Sequence, residues 1–217
     1  MTGTTLGLIM AAAALQLLRE EIGPFLIHRP VATGVLIGGL AGMPLTGALI
    51  GASLEFVWID RIPAGGIRAP ASGIGTAAAV IVLHQAGLTA PTGTVIAAGI
   101  LVALIAIVAF VPFDGGLRRA FGLISERILR QLERGSVDGL LAYPVVALAA
   151  RWMLLAGWFA LISVMSGLPL ATFPPIAGWY LVIGSSALAF ALRRTRTSER
   201  ALGIAAFVAG VVVGCFL

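Results

Sequence analysis

The stretch VATGVLIGGLAGMPLTGALIGASLEFVWI, residues 31–59, carries one charged residue, Glu55, and is interrupted near its middle by Gly42 and Pro44. As one unbroken helix it would be about 43 Å long at about 1.5 Å per residue, longer than a hydrocarbon core of about 30 Å. Pro44 has no backbone N–H and would kink or end such a helix. The stretch therefore predicts two apolar half-helices joined near residues 42–46.

The composition of the whole chain indicates that the bilayer is its solvent. Of 217 residues, 59% are hydrophobic and 11% are charged, and the mean hydropathy is +1.07. Soluble domains usually carry about 25% charged residues, and leaving this much apolar surface in water costs about 25 cal/mol per Å². A water-soluble enzyme is excluded on these grounds. The single cysteine, Cys215, permits no internal disulfide.

Further apolar segments predict an all-α polytopic membrane protein, with broken or re-entrant helices in the N-terminal third followed by transmembrane helices. We expect a single membrane domain over residues 1–217, with a broken-helix substrate region at 1–88 and transmembrane helices at 91–217. The other apolar segments are residues 3–18, 73–88, 91–113, 140–165, 170–192 and 201–217. The intervening run 60–72 contains two prolines and two adjacent glycines and is predicted to be irregular.

The 14 basic residues are all arginine, and their distribution predicts how the chain is oriented. Five lie within residues 114–138 and four within residues 193–200. Because arginine-rich loops face the cytoplasm, both segments are expected there, with two spans between them. Apolar side chains recur at helical spacing in 114–138, which predicts a cytoplasmic amphipathic helix that rests on the lipid bilayer. The net charge of +5 thus reflects topology, and no nucleic-acid partner is expected.

Glu55 and the residues that follow it form the candidate substrate site. Charges at membrane depth are costly and usually face a cavity or a partner, and broken helices direct unpaired backbone groups into such cavities. A carboxylate can accept hydrogen bonds from sugar hydroxyls, and a tryptophan can stack on the apolar face of a sugar. The residues expected to line the site are Glu55, Trp58, Asp60, Arg61 and Arg68. The alternative is that Glu55 pairs with Arg61 or Arg68 only to hold the loop.

Other polar residues give weaker signals. His28, next to Arg29, would suit either a proton relay or an anchor for a helix, and His84 is expected at the membrane interface. Arg151, inside an apolar segment, needs a carboxylate or carbonyl partner from another helix or subunit, for packing or for substrate contact. Two distant histidines without a cysteine partner predict no metal site. The sequence contains no phosphate-binding Gly-rich loop with a lysine and predicts no catalytic residue.

Glycines recur along the broken stretch at a spacing that predicts close helix packing. Gly34, Gly38 and Gly42 are four residues apart, and so are Gly47 and Gly51. Small residues at this spacing allow helix backbones to approach closely, within one subunit or between subunits. We therefore expect tight packing of the half-helices and an oligomeric assembly.

A combined pattern over residues 23–72 resembles a known family. His28-Arg29-Pro30 precedes the Gly-rich stretch, which contains Thr46-Gly47 and Leu54-Glu55, and the following loop closes on Ala69-Pro70. The pattern resembles the membrane-embedded IIC subunit of the mannose/fructose/sorbose class of the bacterial phosphoenolpyruvate-dependent sugar phosphotransferase system (PTS). The motif residues on which the resemblance rests are His28, Arg29, Pro30, Thr46 and Pro70.

The resemblance implies a multi-pass sugar permease of the bacterial cytoplasmic (inner) membrane that works with a second membrane subunit, IID. It also implies soluble IIA and IIB proteins that carry the phosphoryl group, so this chain would need no cofactor and no phosphohistidine. By position, Glu55 corresponds to the family's Leu-Glu acid in the sugar-binding region, and Ser72 ends the matched stretch as a further candidate for substrate binding. Pro63 and Ala71 stand where mannose-class members tend to have Asn and Asp.

Two other functions stay open at this point. An ion-coupled secondary transporter would use Glu55 and His28 as proton groups and would release an unmodified sugar. A non-transporting regulatory homologue is favoured by the two missing polar groups in the loop. Neighbouring reading frames for IIA, IIB and IID proteins would favour the phosphotransferase permease over both alternatives.

Overall fold

The computed structural model describes residues 2–21, 29–58, 71–133 and 142–172. These residues form six α-helices followed by two short 3-10 turns, and they contain no strand. The helices are α1 Gly3–Glu21, α2 Pro30–Leu40, α3 Pro44–Trp58, α4 Ser72–Gln85, α5 Gly93–Glu133 and α6 Ala142–Ser163, and the 3-10 turns are Val164–Gly167 and Leu170–Thr172. The apolar and arginine-rich segments predicted after residue 172 lie outside the described residues.

The predicted break in the apolar stretch is confirmed between α2 and α3. Gly42 follows α2 with a φ of 74°, a backbone conformation that favours glycine. The N–H of Met43 donates to the carbonyl of Gly38 at 2.7 Å, and the N–H of Gly42 donates to Gly39 at 3.2 Å. These bonds satisfy carbonyls that the helix end leaves open. Pro44 then begins α3, where its missing N–H is not needed, and the two helices form an antiparallel hairpin.

Glycines bring the backbones of α2 and α3 into direct contact, so the close packing predicted from their spacing is confirmed within the chain. A Cβ atom on Gly34 would overlap the carbonyl of Gly47, and a Cβ atom on Gly47 would overlap that of Gly34. A Cβ atom on Gly51 would overlap the carbonyl of Pro30. Because the obstructing atoms belong to the backbone, any side chain at these three positions would force the helices apart.

α4 is the central helix of the described fold. All of its residues from Ser72 to Leu83 are buried, and it contacts the other five helices. A helix that is apolar on every side is stable when neighbouring helices cover it. At 14 residues it is about 21 Å long, shorter than the hydrocarbon core of about 30 Å. α4 is therefore packed inside the protein rather than exposed to lipid.

α5 joins two segments that the sequence analysis treated separately, the apolar residues 91–113 and the amphipathic residues 114–138. The helix continues from Gly93 to Glu133, with Pro112 inside it. At 41 residues it is about 60 Å long, so its polar second half extends well beyond the hydrocarbon core that its apolar half can occupy. In that second half Leu117 is buried and Ile124 is exposed. Contact of the apolar side of this second half with the membrane surface stays a prediction.

Two of the described helical segments are long and apolar enough to cross a membrane, Gly93–Arg130 and Pro144–Gly167. Gly3–Leu18, Pro30–Leu40 and Ser72–Gln85 are apolar but shorter. Two of these short helices, α2 and α4, pack against each other in the bundle. An all-α membrane fold with a broken N-terminal region is therefore confirmed.

α6 packs on α5 and α1 through aromatic side chains. The rings of Phe110 and Trp158 are 5.2 Å apart and meet edge to face, which joins α6 to the apolar half of α5. Trp152 Nε1 donates to the carbonyl of Met10 at 3.2 Å, which joins α6 to α1. The opposite side of α6 carries exposed apolar side chains, among them Val145, Met153 and Leu161. This distribution is typical of a helix with one side in the core and the other toward lipid or a further subunit.

Candidate functional site at the broken helix

The antiparallel hairpin brings Arg29 and Glu55 into an ion pair. Arg29 Nη1 donates to Glu55 Oε1 at 3.1 Å. Arg29 directly precedes the first residue of α2, and its carbonyl accepts the N–H of Thr33 at 2.9 Å. Glu55 lies in the last turn of α3. The pair therefore lies at the open end of the hairpin, opposite the turn at Gly42.

Packing of the backbone holds Glu55 in this position. Gly51, one turn earlier in α3, packs against the carbonyl of Pro30, and the preceding residue Leu54 is fully buried. The side chain of Glu55 is 25% exposed and that of Arg29 is 52% exposed. An ion pair with this much exposure contributes about 0–1 kcal/mol to stability. The helix contacts, rather than the charges, therefore decide where the two side chains meet.

Ser72 lies at the same end of the bundle as the ion pair. It is the buried first residue of α4, and its carbonyl accepts the hydroxyl of Thr76 at 3.0 Å. The methyl group of Thr76 lies 3.2 Å from the position that a Cβ atom on Gly34 would take. Gly34 is one turn after the start of α2, so the first turns of α2 and α4 lie side by side. Of the predicted site residues, Arg29, Glu55 and Ser72 are thus at one end.

Thr46, another residue of the motif, lies at the opposite end of the hairpin. Its side chain is buried, and its hydroxyl donates to the carbonyl of Thr89 at 2.9 Å. Thr89 belongs to the loop between α4 and α5. Buried hydroxyls need a partner of this kind, and here the partner ties the start of α3 to the neighbouring loop. The structure therefore does not bring Thr46 to the ion pair.

The remaining predicted site residues are placed only in part. Trp58 is the last residue of α3, one turn after Glu55. Five other predicted residues lie outside the described ranges: His28, Asp60, Arg61, Arg68 and Pro70. The alternative pairing of Glu55 with an arginine of the loop falls on these residues, whereas the described partner of Glu55 is Arg29.

Sequence reasoning did not identify Arg29 as the partner of Glu55, although a signal for it was present. Arg29 and Glu55 each lie thirteen residues from Gly42. A chain that reverses at this glycine brings equidistant residues of the two helices together. Gly42 and Pro44 locate the break, and the symmetric spacing of opposite charges about Gly42 identifies the pair.

Arg151 contacts the second half of α5, and His84 lies near the end of α4, away from the ion pair. The guanidinium of Arg151 lies 6.0 Å from the centroid of the Phe121 ring, which links α6 to the second half of α5. Within the ranges that the structure describes, no group of three or more His, Cys, Asp or Glu side chains could hold a metal ion.

A sequence model of the family described as PTS system sorbose-specific IIC component matches residues 4–173. The chain belongs to this family. The match runs from α1 to the 3-10 turn at Leu170–Thr172, so the resemblance over residues 23–72 extends across all six described helices. Membership confirms the family predicted from the His-Arg-Pro and Leu-Glu motifs, and it makes this chain a membrane component of the sugar phosphotransferase type.

Among curated proteins, this IIC component is similar to a protein of Escherichia coli (strain K12) whose name assigns it provisionally as N-acetylgalactosamine permease IIC component 2. The two sequences are 44% identical over 50 residues, which is 23% of this chain and 38% of the relative. The match thus spans well under half of the relative's length. The similarity to this relative is local, whereas the family model covers most of the chain.

Proposed function

We propose that this IIC component translocates a hexose-like sugar across the bacterial cytoplasmic membrane, coupled to phosphorylation of the sugar by a partner IIB subunit. A IID membrane subunit and a soluble IIA protein would complete the system. The observation that carries the proposal is the Arg29–Glu55 ion pair at the open end of the α2–α3 hairpin. The role of this chain is to bind and pass the sugar, while the phosphoryl group is carried by the partner proteins.

The ion pair suits a sugar because both of its members keep hydrogen-bonding capacity. Glu55 accepts from Arg29 through Oε1, and a carboxylate offers about four acceptor sites in all. Arg29 keeps further N–H donors beyond the one that meets Glu55. Sugar hydroxyls both donate and accept, so two neighbouring hydroxyls can bond to the carboxylate and the guanidinium at once. Hydrogen bonds to charged groups of this kind are about twice as strong as those between neutral groups.

The path of α5 supports a cytoplasmic position for this end of the bundle. α5 begins just after the loop whose Thr89 carbonyl accepts the hydroxyl of Thr46. It then packs closely against the start of α4, where a Cβ atom on Gly75 would lie 2.8 Å from the carbonyl of Ala103. Its arginine-containing second half continues past the level of the ion pair. Arginine-rich segments face the cytoplasm. A sugar bound at Arg29–Glu55 would then lie toward the side on which a IIB protein delivers the phosphoryl group.

Uptake and phosphorylation of labelled sugars test the proposal in cells that also carry the IIA, IIB and IID partners. The sugars are sorbose, N-acetylgalactosamine, mannose and fructose. Glu55→Gln keeps the size of the side chain and removes its charge. We expect uptake to fall about tenfold or more, because a hydrogen bond to a charged group contributes about 1.5–3 kcal/mol.

Glu126→Gln is the matched control. Glu126 forms an exposed pair with Arg130 at 3.3 Å in the second half of α5, away from the hairpin, so uptake should persist. Unchanged uptake by the Glu55→Gln variant at normal expression would rule out the assigned site. Uptake that yields no sugar phosphate and stops with a protonophore would indicate an ion-coupled carrier instead, and absence of uptake for the unmodified protein would indicate a non-transporting homologue.

A further inference from the structure

α5 leaves the packed helices at about the level of the ion pair. Its first half runs along α4, where a Cβ atom on Gly75 would lie 2.6 Å from the side chain of Ile107. Because Gly75 lies in the first turn of α4, contact with α4 ends shortly after Ile107. One turn later Phe110 packs edge to face on Trp158 of α6. α5 then continues to Glu133.

The continuation of α5 is held loosely by the rest of the described chain. Leu117 is buried but lies outside the main hydrophobic core. None of the described side chains from 118 to 130 is buried. The ring of Phe121 contacts the guanidinium of Arg151 at 6.0 Å. The second half of α5 is therefore fixed by far fewer contacts than the first half.

Three residues that weaken a helix lie within five positions at this point, namely Pro112, Gly115 and Gly116. Pro112 has no N–H to donate to the carbonyl of Val108, so one hydrogen bond of the helix is missing. Sharp helix kinks occur at prolines of this kind. Glycine is also among the least favourable residues in the interior of a helix.

Close packing does not account for the two glycines of α5. At Gly34, Gly47 and Gly75 a Cβ atom would collide with a neighbouring helix. Gly115 and Gly116 are exposed and have no atom within 4 Å of the position of a Cβ atom. Alanine would fit at both positions and would stabilise the helix. The two glycines therefore make this turn easier to bend.

One ion pair spans both glycines. Arg118 Nε donates to Asp114 Oδ2 at 2.8 Å, across one helical turn. Side chains four residues apart are neighbours only while the turn between them stays helical, and pairs of this kind stabilise a helix modestly. The pair therefore favours the continuous helix without excluding a bent one.

We propose that α5 bends at residues 112–116, which we name the α5 hinge, so that its second half swings relative to the ion-pair end of the bundle. α5 is one continuous helix in the described conformation. The part after Gly116 is about 25 Å long, so a bend of about 20° moves its end by about 9 Å. Such a swing changes access to Arg29–Glu55. This use as a gate rests on the proposed function; the hinge itself does not.

Distances between spin labels test the hinge in the purified full-length protein, without partner subunits. In a Cys215→Ser background, Leu129→Cys carries one label and either Val35→Cys on α2 or Leu18→Cys on α1 carries the other; all three positions are exposed. Residue 129 lies about 20 Å past Gly116, so double electron–electron resonance should give two distances about 7 Å apart for at least one pair. A single distance for both pairs overturns the hinge.

Substitutions within the hinge should lower the fraction of molecules with the displaced distance. The double variant Gly115→Ala with Gly116→Ala should lower it about tenfold, because each alanine favours the helix. Pro112→Ala restores the missing N–H and should act in the same direction, so it serves if the double variant does not fold. An unchanged fraction in both variants contradicts a hinge at these residues.

Two further variants locate the bend. Asp114→Asn removes the ion pair and should raise the displaced fraction about twofold, because such pairs stabilise a helix only modestly. Gly122→Ala is the matched control, since Gly122 is another exposed glycine of α5 with no atom within 4 Å of the position of a Cβ atom. Its distances should not change. A loss as large as that from the hinge substitutions would indicate flexibility along the whole helix and overturn the hinge.

Uptake measurements separate the hinge from the proposed function. In cells with the partner subunits, Gly115→Ala with Gly116→Ala should take up less sugar than Gly122→Ala at equal expression, and equal uptake overturns the role as a gate. Two distances with no uptake by the unmodified protein reject the proposed function and keep the hinge. Uptake with a single distance rejects the hinge and keeps the proposed function.

Discussion

The contact between Arg29 and Glu55 joins the residue before α2 to the last turn of α3, with 3.1 Å between Nη1 and Oε1. Neither charge is needed to form the hairpin, because Gly51 and Leu54 set the register by packing. Because the ion pair adds little to stability and its position is held by the helix contacts, its remaining hydrogen-bond donors and acceptors can bind a ligand. Substitutions of Arg29 or Glu55 are therefore expected to change sugar uptake more than the stability of the fold.

Exchanging the two charges distinguishes a structural pair from a binding pair. Arg29→Glu alone places two carboxylates together and should lower the Tm in detergent by a few degrees at most, because the pair is partly exposed. The double variant Arg29→Glu with Glu55→Arg restores the attraction and should restore the Tm. Sugar uptake should stay low in the double variant, because donor and acceptor have exchanged places. Recovery of uptake together with the Tm would show that the pair has only a structural role.

The α2–α3 hairpin depends on contacts between backbone atoms, and its glycines divide into two groups. Gly34 and Gly47 face each other across the helix interface, where a Cβ atom on either would overlap the carbonyl of the other. Gly39, on the same helix as Gly34, is exposed and has no atom within 4 Å of the position of a Cβ atom. The spacing of the glycines predicted the interface, and the packed helices show which glycines form it.

Alanine substitutions at Gly34 and Gly39 should change stability in opposite directions. Gly34→Ala forces backbone atoms apart and should lower the free energy of unfolding by about 1–3 kcal/mol. Gly39→Ala reduces the freedom of the unfolded chain without a clash and should raise it by up to about 1 kcal/mol. Thermal unfolding of the purified variants measures both changes. The same sign for both substitutions would contradict backbone contact in the hairpin.

At the scale of the whole molecule, α5 relates the two ends of the bundle to the two sides of the membrane. Its first residues follow the loop at Thr89, and its second half carries arginines well past the ion-pair end. From the distribution of arginine, we expect the second half to face the cytoplasm. The loop between α4 and α5 is then expected to face the external side.

Labelling of single cysteines from one side of the membrane measures this orientation. In a Cys215→Ser background, Ala90→Cys lies in the exposed α4–α5 loop and Ser125→Cys in the exposed second half of α5. An impermeant thiol reagent added to intact cells should modify the first variant and spare the second, and inverted membranes should reverse the result. Modification of both from the same side would contradict the proposed orientation.

Local signals in the sequence determined the class of the protein, the break in its apolar stretch and its family. Hydropathy specifies the solvent, because apolar surface is stable only away from water. The break follows from Pro44 and from Gly42, whose positive φ is accessible to glycine at little cost. Close packing of the half-helices follows from small residues at helical spacing. Each of these properties depends on a residue and its near neighbours in the chain.

Only the tertiary structure decided which polar groups meet. Glu55 had several arginines as possible partners in the sequence, and the antiparallel hairpin selected Arg29. Thr46 belongs to the same motif but lies at the other end of α3, bonded to Thr89. Trp152 of α6 donates to the carbonyl of Met10 of α1, 142 residues earlier in the chain. The physical reason is that these encounters depend on the register and direction of packed helices, which are decided by contacts between elements distant in sequence.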